Sequence, residues 1–422
     1  MGIVLAVTLG LCQNLTSAPK PAPPSRLEFR DGDRVVLIGN TLIERAQAYG
    51  HLETAILARL APWKLTFRNL GWSGDTVFAD SRGVFDPPAK GYARMLDHVG
   101  RLRPTVLLLG YGSNESFGGE AGLERFLAQY RKLIGDLRTR SATDVRVVLL
   151  TIPPQQRPGL RRLNTSRVSL SQGRSDLEVD RFASNDLEVP VRRNRQIAVY
   201  NAALTRMARE DRLALVDLDS PFQALWHKQQ AQFTTAFTVD GRALNETGYR
   251  VLADGVINQW FPVSPLTVTI RKASGKAAVQ VDGPLAVPGA RFDGERLVIE
   301  SRPGRFVLRV HGLPRGRYRM KVNSDDYGKL RESDFISGIA PSSGRPSTGV
   351  LALRQAVVAK NRLYFHRWRP QNTTYLFGFR KHEQGNNASE VAEFDKLVNA
   401  QESRIDVLRT RAVNLITIER VR

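Results

Sequence analysis

The chain has 422 residues, 42% hydrophobic and 24% charged, enough to build buried cores in two domains or more and inconsistent with a disordered chain. Its net charge of +21 would suit an acidic partner such as nucleic acid, but arginine greatly outnumbers lysine and the basic residues run the whole length without forming a block. A nucleic-acid footprint should cluster on one face or stripe, so an Arg-rich solvated surface is the expectation, and Cys12, the single cysteine, excludes a disulfide scaffold.

Residues 2–12, GIVLAVTLGLC, are apolar but too few to span a membrane, which takes about 20 residues. They read as the apolar region of a secretory signal, with Thr16-Ser17-Ala18 as a small-residue cleavage zone and a Pro-rich linker to about residue 25. The expectation is a secreted or periplasmic protein with no membrane span in its mature chain.

Between residues 26 and 262 strand-like and helix-like segments alternate. Runs rich in Val, Leu or Ile at 34–38, 65–69, 105–110, 145–151 and 213–217 predict strands, and the periodicity predicts helices at about 42–60, 90–101, 121–139, 193–210 and 246–260. Repeated β-α units imply a three-layer α/β/α sandwich around a parallel sheet, of flavodoxin-like type. The polar stretch 155–192 reads as a surface excursion.

Beyond Pro262, short alternating runs (266–271, 297–301, 305–310, 317–322) separated by Gly and Pro predict a small antiparallel β-domain over 263–336. Residues 337–422 then read as a linker, an aromatic and polar stretch (360–388), a helix at 389–410 and a last strand at 413–418. The sequence shows no internal repeat, phosphate loop, dinucleotide fingerprint or metal-type Cys/His cluster, so neither metal nor organic cofactor is implied.

Four motifs stand at the carboxyl ends of predicted strands, the side on which open α/β sheets bind ligands. They are Gly39-Asn40-Thr41, the loop Asn69-Leu70-Gly71-Trp72-Ser73-Gly74-Asp75-Thr76, Gly110-Tyr111-Gly112-Ser113-Asn114-Glu115, and Asp240-Gly241-Arg242-Ala243-Leu244-Asn245. Each has a structural reading of its own. Thr41 with Glu44 fits a helix capping box, Gly74 fits a loop at positive φ, Asn114 fits a loop tie, and Asp240 fits a turn cap.

In order and spacing the four motifs resemble the sequence blocks of the SGNH (GDSL-type) hydrolase superfamily, over roughly residues 30–261. The resemblance implies an acyl-ester hydrolase, with Thr41 at the nucleophile position, Gly74 and Asn114 in the oxyanion hole, and Asp240 as the acid that orients a histidine. Two departures matter. Threonine replaces serine at position 41, adding a methyl group that restricts the rotamer and crowds the attacking oxygen. Ala243 stands where the histidine belongs, and loss of a triad member leaves only about 10³–10⁴-fold catalysis over water.

Of the six histidines, His51 and His98 fall on helix patterns, while His366 and His382 lie in the aromatic tail and are the candidates for a substitute base or pocket group. The tail also resembles part of certain secreted SGNH-like proteins with a C-terminal extension. Arg367, Trp368, Arg369 and Asn372 are the ligand-binding candidates there, whereas Tyr375, Phe377 and Phe379 fit one face of a β-hairpin. Two functions follow: an ester hydrolase with an altered triad, acting on a small-molecule or carbohydrate ester, or a catalytically impaired SGNH-like protein that binds a carbohydrate or anionic ligand.

Overall fold

The structure, a computed structural model, describes residues 26–141, 144–156, 176–230, 237–273, 276–341, 344–383 and 387–421. The expected signal and linker at 1–25 lie outside the described residues, as does much of the predicted polar excursion.

The Val-, Leu- and Ile-rich runs form a parallel sheet: β1 (Arg34–Gly39), β2 (Thr66–Asn69), β3 (Val106–Gly110), β4 (Arg146–Leu150) and β5 (Ala214–Val216). Their order is β2-β1-β3-β4-β5. Alternate strand residues face opposite layers, as a two-residue repeat requires. Val35, Leu37, Val106 and Leu108 join one core with helices α1 (Thr41–Tyr49), α2 (His51–Arg59), α6 (Asp219–Gln230) and α7 (Glu246–Trp260). Val36, Ile38, Leu107 and Leu109 join the other with α3 (Pro88–Leu102), α4 (Leu123–Arg140) and α5 (Asp176–Glu210). This is the three-layer sandwich expected from the sequence.

Two expected elements differ. The helix predicted at 42–60 is broken at Gly50, whose φ of 65° ends α1 while its N–H donates to the Ala46 carbonyl at 3.0 Å. Helix α5 starts at Asp176, inside the stretch read as an excursion, where polar residues and Pro190 hide the helical repeat.

Beyond α7 lie β6 (Ser264–Ala273), β7 (Lys276–Asp282), β8 (Arg291–Phe292), β9 (Arg296–Ser301), β10 (Phe306–His311), β11 (Arg317–Val322), β12 (Asp325–Arg331) and the short helix α8 (Glu332–Ser337). The last strand of the chain, β13 (Asn414–Val421), inserts between β11 and β9, giving the order β12-β11-β13-β9-β8 beside a second sheet, β10-β6-β7. Pairing is antiparallel except between β10 and β6, which run parallel. The β-module built from residues 264–337 is thus completed by the chain terminus, with Ile416 and Ile418 in its core.

The intervening tail is helical. Helix α9 (Thr348–Trp368) and α11 (Glu390–Arg411), with the short α10 (Thr373–Leu376) between them, pack on the α/β sandwich. The β-hairpin expected for Tyr375, Phe377 and Phe379 does not form: Tyr375 lies in α10, and Phe377 and Phe379 are exposed in the turns after it. The governing repeat is helical, since Leu353, Ala356, Val357, Lys360, Asn361 and Tyr364 form one buried stripe. Among the described residues no helix is long and apolar enough to cross a membrane.

Docking of the tail covers β2, the edge of the parallel sheet. Lys360, fully buried, donates to the Phe67 carbonyl of β2 at 3.0 Å and pairs with Glu53 Oε1 at 2.7 Å, while Arg68 pairs with Glu402 at 2.5 Å. Arg409 donates to the Ala61 and Trp63 carbonyls beyond the end of α2. A charged side chain thus takes up an edge carbonyl that would otherwise invite another strand.

Lys360→Ala leaves Glu53 buried without its cation and should destabilise the protein by about 3–5 kcal/mol in urea unfolding. The double variant Lys360→Met/Glu53→Leu should recover most of that loss. Equal losses in the two would show that the tail is held by other contacts.

Candidate functional site

The site is built where β1 and β3 end side by side. A Cβ on Gly39 would lie 2.4 Å from the Gly110 carbonyl oxygen, so the two strands can leave the sheet at one point only if residue 39 lacks a side chain. The Asn40 N–H donates to that same carbonyl at 3.2 Å, and α1 starts at once. Asn40 caps it, its side-chain oxygen accepting from Leu42 N at 3.0 Å; the capping box expected from Thr41 and Glu44 is replaced by this contact.

Freed from capping, Thr41 turns its hydroxyl to the loop after β2. Its Oγ1 accepts the Gly74 N–H at 3.1 Å, and Gly74 sits at φ 77°, in the left-handed region that favours glycine. The loop is attached to the first turns of α1. Asn69 Nδ2 donates to the Ile43 carbonyl at 2.6 Å, Trp72 N donates to the Gly39 carbonyl at 2.9 Å, and Ser73 N donates to Glu44 Oε2 at 2.5 Å.

The loop after β3 grips the same segment from the other side. Asn114 Nδ2 donates to the Asp75 carbonyl at 2.9 Å, leaving its second amide proton for another acceptor. Glu115 accepts Val77 N and Gly112 N, each at 2.8 Å. Burial pushes its carboxyl up to about 7, opposed by those backbone N–H groups. Asp75, fully buried, pairs with Arg82 at 2.5 Å and accepts the Tyr111 hydroxyl at 3.2 Å; burial pushes it up and Arg82 opposes the shift. Thr41 and Gly74 are thus in direct contact, and Asn114 is bonded to the residue that follows Gly74.

Asp240 is used differently. Its Oδ1 accepts the backbone N–H groups of Arg242 at 2.9 Å and Ala243 at 2.8 Å, which hold the exposed carboxylate below its ordinary range. Gln156 binds the loop at Thr238 and Gly241, and the helix that follows is tied to α1 by the Tyr249 hydroxyl, which donates to the Leu42 carbonyl at 2.8 Å. No hydrogen bond joins Asp240 to Thr41 among the described residues.

Nor does any described imidazole bond to Thr41. His366 lies 6.2 Å ring to ring from Phe394 of α11, and His382 is exposed in a turn. His98 contacts the Tyr364 hydroxyl at 3.2 Å and packs edge-on against Trp368, burial pushing it down to about 4, so it is neutral at pH 7. His51 lies 3.2 Å from Glu246 and is lowered by burial. The His227 side chain lies outside the described residues.

Of the tail candidates, Arg367 pairs with Asp395 of α11 at 2.9 Å, Trp368 packs against Trp72 and His98, and Asn372 is exposed at φ 59° before α10. Arg369 reaches the same loop through charge as well: its guanidinium lies 3.6 Å above the Trp72 ring and pairs with Glu44 at 2.8 Å. Glu44, Trp72, Asp75, Arg82 and Glu115 went unassigned from sequence. Glu44 was masked by the capping pattern, and the rest stand inside or beside the motifs without a spacing that marks their role.

Residues 37–251 match the GDSL-like Lipase/Acylhydrolase family. No curated protein matches the chain. A gut-microbial diltiazem-metabolizing enzyme is similar in structure over 93% of this chain and 99% of its own, at 15% identity and a TM-score of 0.56. A catalytic mutant of an acetylxylan esterase from Geobacillus stearothermophilus is similar over 56% and 97% respectively, at 15% identity and a TM-score of 0.39. For a lipolytic G-D-S-L family member from Veillonella parvula the values are 55%, 99%, 13% and 0.34. The first likeness speaks for the fold, including the β-module and the helical tail.

The Glu115 clamp has a pH signature. Because folding raises its pKa from 4.5 to about 7, its stabilising contribution is complete below pH 4.5 and is lost as pH rises through 7. At about 1.4 kcal/mol per pH unit, the loss is on the order of 1–3 kcal/mol. Urea unfolding of wild type and Glu115→Gln from pH 4 to 8.5 should show the gap between them changing by that amount; parallel curves would refute it.

Proposed function

Since the chain belongs to the GDSL-like lipase/acylhydrolase family, we propose that it is an ester hydrolase with an altered triad, acting on small-molecule or carbohydrate esters. Thr41 supplies the attacking hydroxyl, and the Gly74 N–H and the free Asn114 amide proton receive the oxyanion. The observation that carries this reading is the 3.1 Å hydrogen bond from Gly74 N to Thr41 Oγ1, which puts nucleophile and donor in contact before substrate arrives.

An entering ester carbonyl takes over the Gly74 N–H, releasing Thr41 Oγ1 to attack the acyl carbon. The hydroxyl proton passes to water or hydroxide, the tetrahedral intermediate collapses with loss of the alcohol, and water then hydrolyses the threonyl ester. Without an imidazole the first step is slow. A positioned base contributes about 10²–10⁴-fold, and this site does without it.

A second reading is a binding protein that holds a sugar or anion on the same donors. What favours it is the Asp240 carboxylate, whose Oδ1 is taken by the two N–H groups of its own turn, with Ala243 beside it.

Hydrolysis of p-nitrophenyl acetate and acetylated xylan separates the two. The hydrolase reading expects slow turnover that rises with hydroxide concentration, loss to background in Thr41→Ala, and a gain of about 10–10³-fold in Ala243→His with a new inflection near the imidazole pKa. Wild type and Thr41→Ala equally inert, with activity gained by Ala243→His, would establish the binding reading instead.

A further inference from the structure

We infer that Arg369, at the end of α9, is a positioning residue for the loop that carries Gly74: it holds Glu44 and Trp72, and through them fixes the backbone N–H aimed at Thr41. Its catalytic consequence rests on the ester-hydrolase reading; its structural consequence rests on the contacts alone.

The contacts form a short closed circuit. Arg369 Nη1 lies 2.8 Å from Glu44 Oε2, and that same oxygen accepts Ser73 N at 2.5 Å. The guanidinium carbon also lies over Trp72, 3.6 Å from its ring centre. Arg369 therefore reaches two consecutive residues of the loop, one through its ring and one through its backbone, and Gly74 is the next. Glu44 belongs to the first turns of α1, the helix that begins with Thr41. One cation thus sets the spacing between the nucleophile's helix and the donor's loop.

The loop needs such a brace. Gly74 and Gly71 have no side chain to restrict their backbone, and Gly71 must lack one because a Cβ there would lie 2.2 Å from Glu44 N. A part-buried carboxylate that accepts a backbone N–H holds it more firmly when a guanidinium fixes the carboxylate in turn. Arg369 is also well anchored: its N–H donates to the Phe365 carbonyl at 2.9 Å, at the end of a helix whose docking depends on Lys360 and the apolar stripe, far along α9 from Arg369. The tail contributes to the site by bracing it, without needing to touch substrate.

The test uses the full chain as wild type, Arg369→Ala, Arg369→Lys and Glu44→Gln. Backbone hydrogen exchange is read in a peptide covering residues 70–76 and in β-module peptides, beside kcat and KM for p-nitrophenyl acetate. In Arg369→Ala, exchange over 70–76 should speed up about tenfold with the β-module unchanged. The kcat should fall about ten- to a hundredfold at nearly constant KM, and added guanidinium should restore part of it. Arg369→Lys should keep the fold yet brace the loop poorly, because an ammonium cannot stack and bridge together. Unchanged exchange over 70–76, or faster exchange everywhere in both Arg369 variants, overturns the inference. If the loop loosens as expected while wild type cleaves no ester, the positioning role stands and the hydrolase reading fails.

Discussion

The site depends on the close approach of two strand ends. Gly39 and Gly110 lie in register at the carboxyl ends of β1 and β3, where the strand order reverses, and there is no room between them for even one methyl group. In a doubly wound sheet, the chains leaving such a point diverge to opposite layers and open a crevice between them. Here the first departing chain becomes α1 with Thr41 at its start, and the second becomes the loop that carries Asn114. Any side chain at position 39 would push β1 from β3, and the distances among Thr41, Gly74 and Asn114 would go with it.

What braces the loops after β2 and β3 is buried charge. Arg82 donates to Asp75 and to the Leu70 carbonyl, at 2.5 and 2.9 Å, so one guanidinium joins the two ends of the segment that includes Gly74. Glu115 and Asn114 hold the next residues from the opposite side. Buried ionic groups of this kind add little net stability, since desolvation offsets their attraction. Their effect is geometric: the loop can occupy one arrangement in which every charge but one oxygen of Asp75 finds a partner among the described residues. The same logic holds for the tail, where Lys360, Arg409 and Arg369 each reach a carbonyl or carboxylate on the sandwich.

The sheet and the motif cluster were legible in the sequence because both are local in their signals. Apolar runs of five to seven residues mark buried parallel strands, and turn residues after them mark the strand-to-helix corners. The tail was not legible in the same way. Tyr375, Phe377 and Phe379 alternate as a strand would, yet the stripe from Leu353 to Tyr364 that decides the segment lies upstream, and its partner surface, β2 with α2, is some 300 residues away. The insertion of β13 between β9 and β11 is equally nonlocal: its eight residues say nothing about which sheet will take them. The role of Glu44 was hidden by a competing local rule. A threonine followed three residues later by glutamate reads as a capping box, but Asn40 caps α1 and leaves both side chains for the loop opposite.

The last block keeps its turn without using the side chain at position 243. In the turn after β-bridge residue Thr238, the Asp240 carboxylate accepts two backbone N–H groups, and Val239 N donates to the Ala243 carbonyl at 2.8 Å. None of these bonds uses the side chain at position 243, and the helix that follows has its own cap in Asn245, bonded to Gly248 N at 3.0 Å. The turn is therefore held by bonds that are indifferent to the side chain at position 243. Backbone bonds thus shape the turn, and the identity of residue 243 is left to bear on chemistry, the point on which the hydrolase and binding readings proposed above differ.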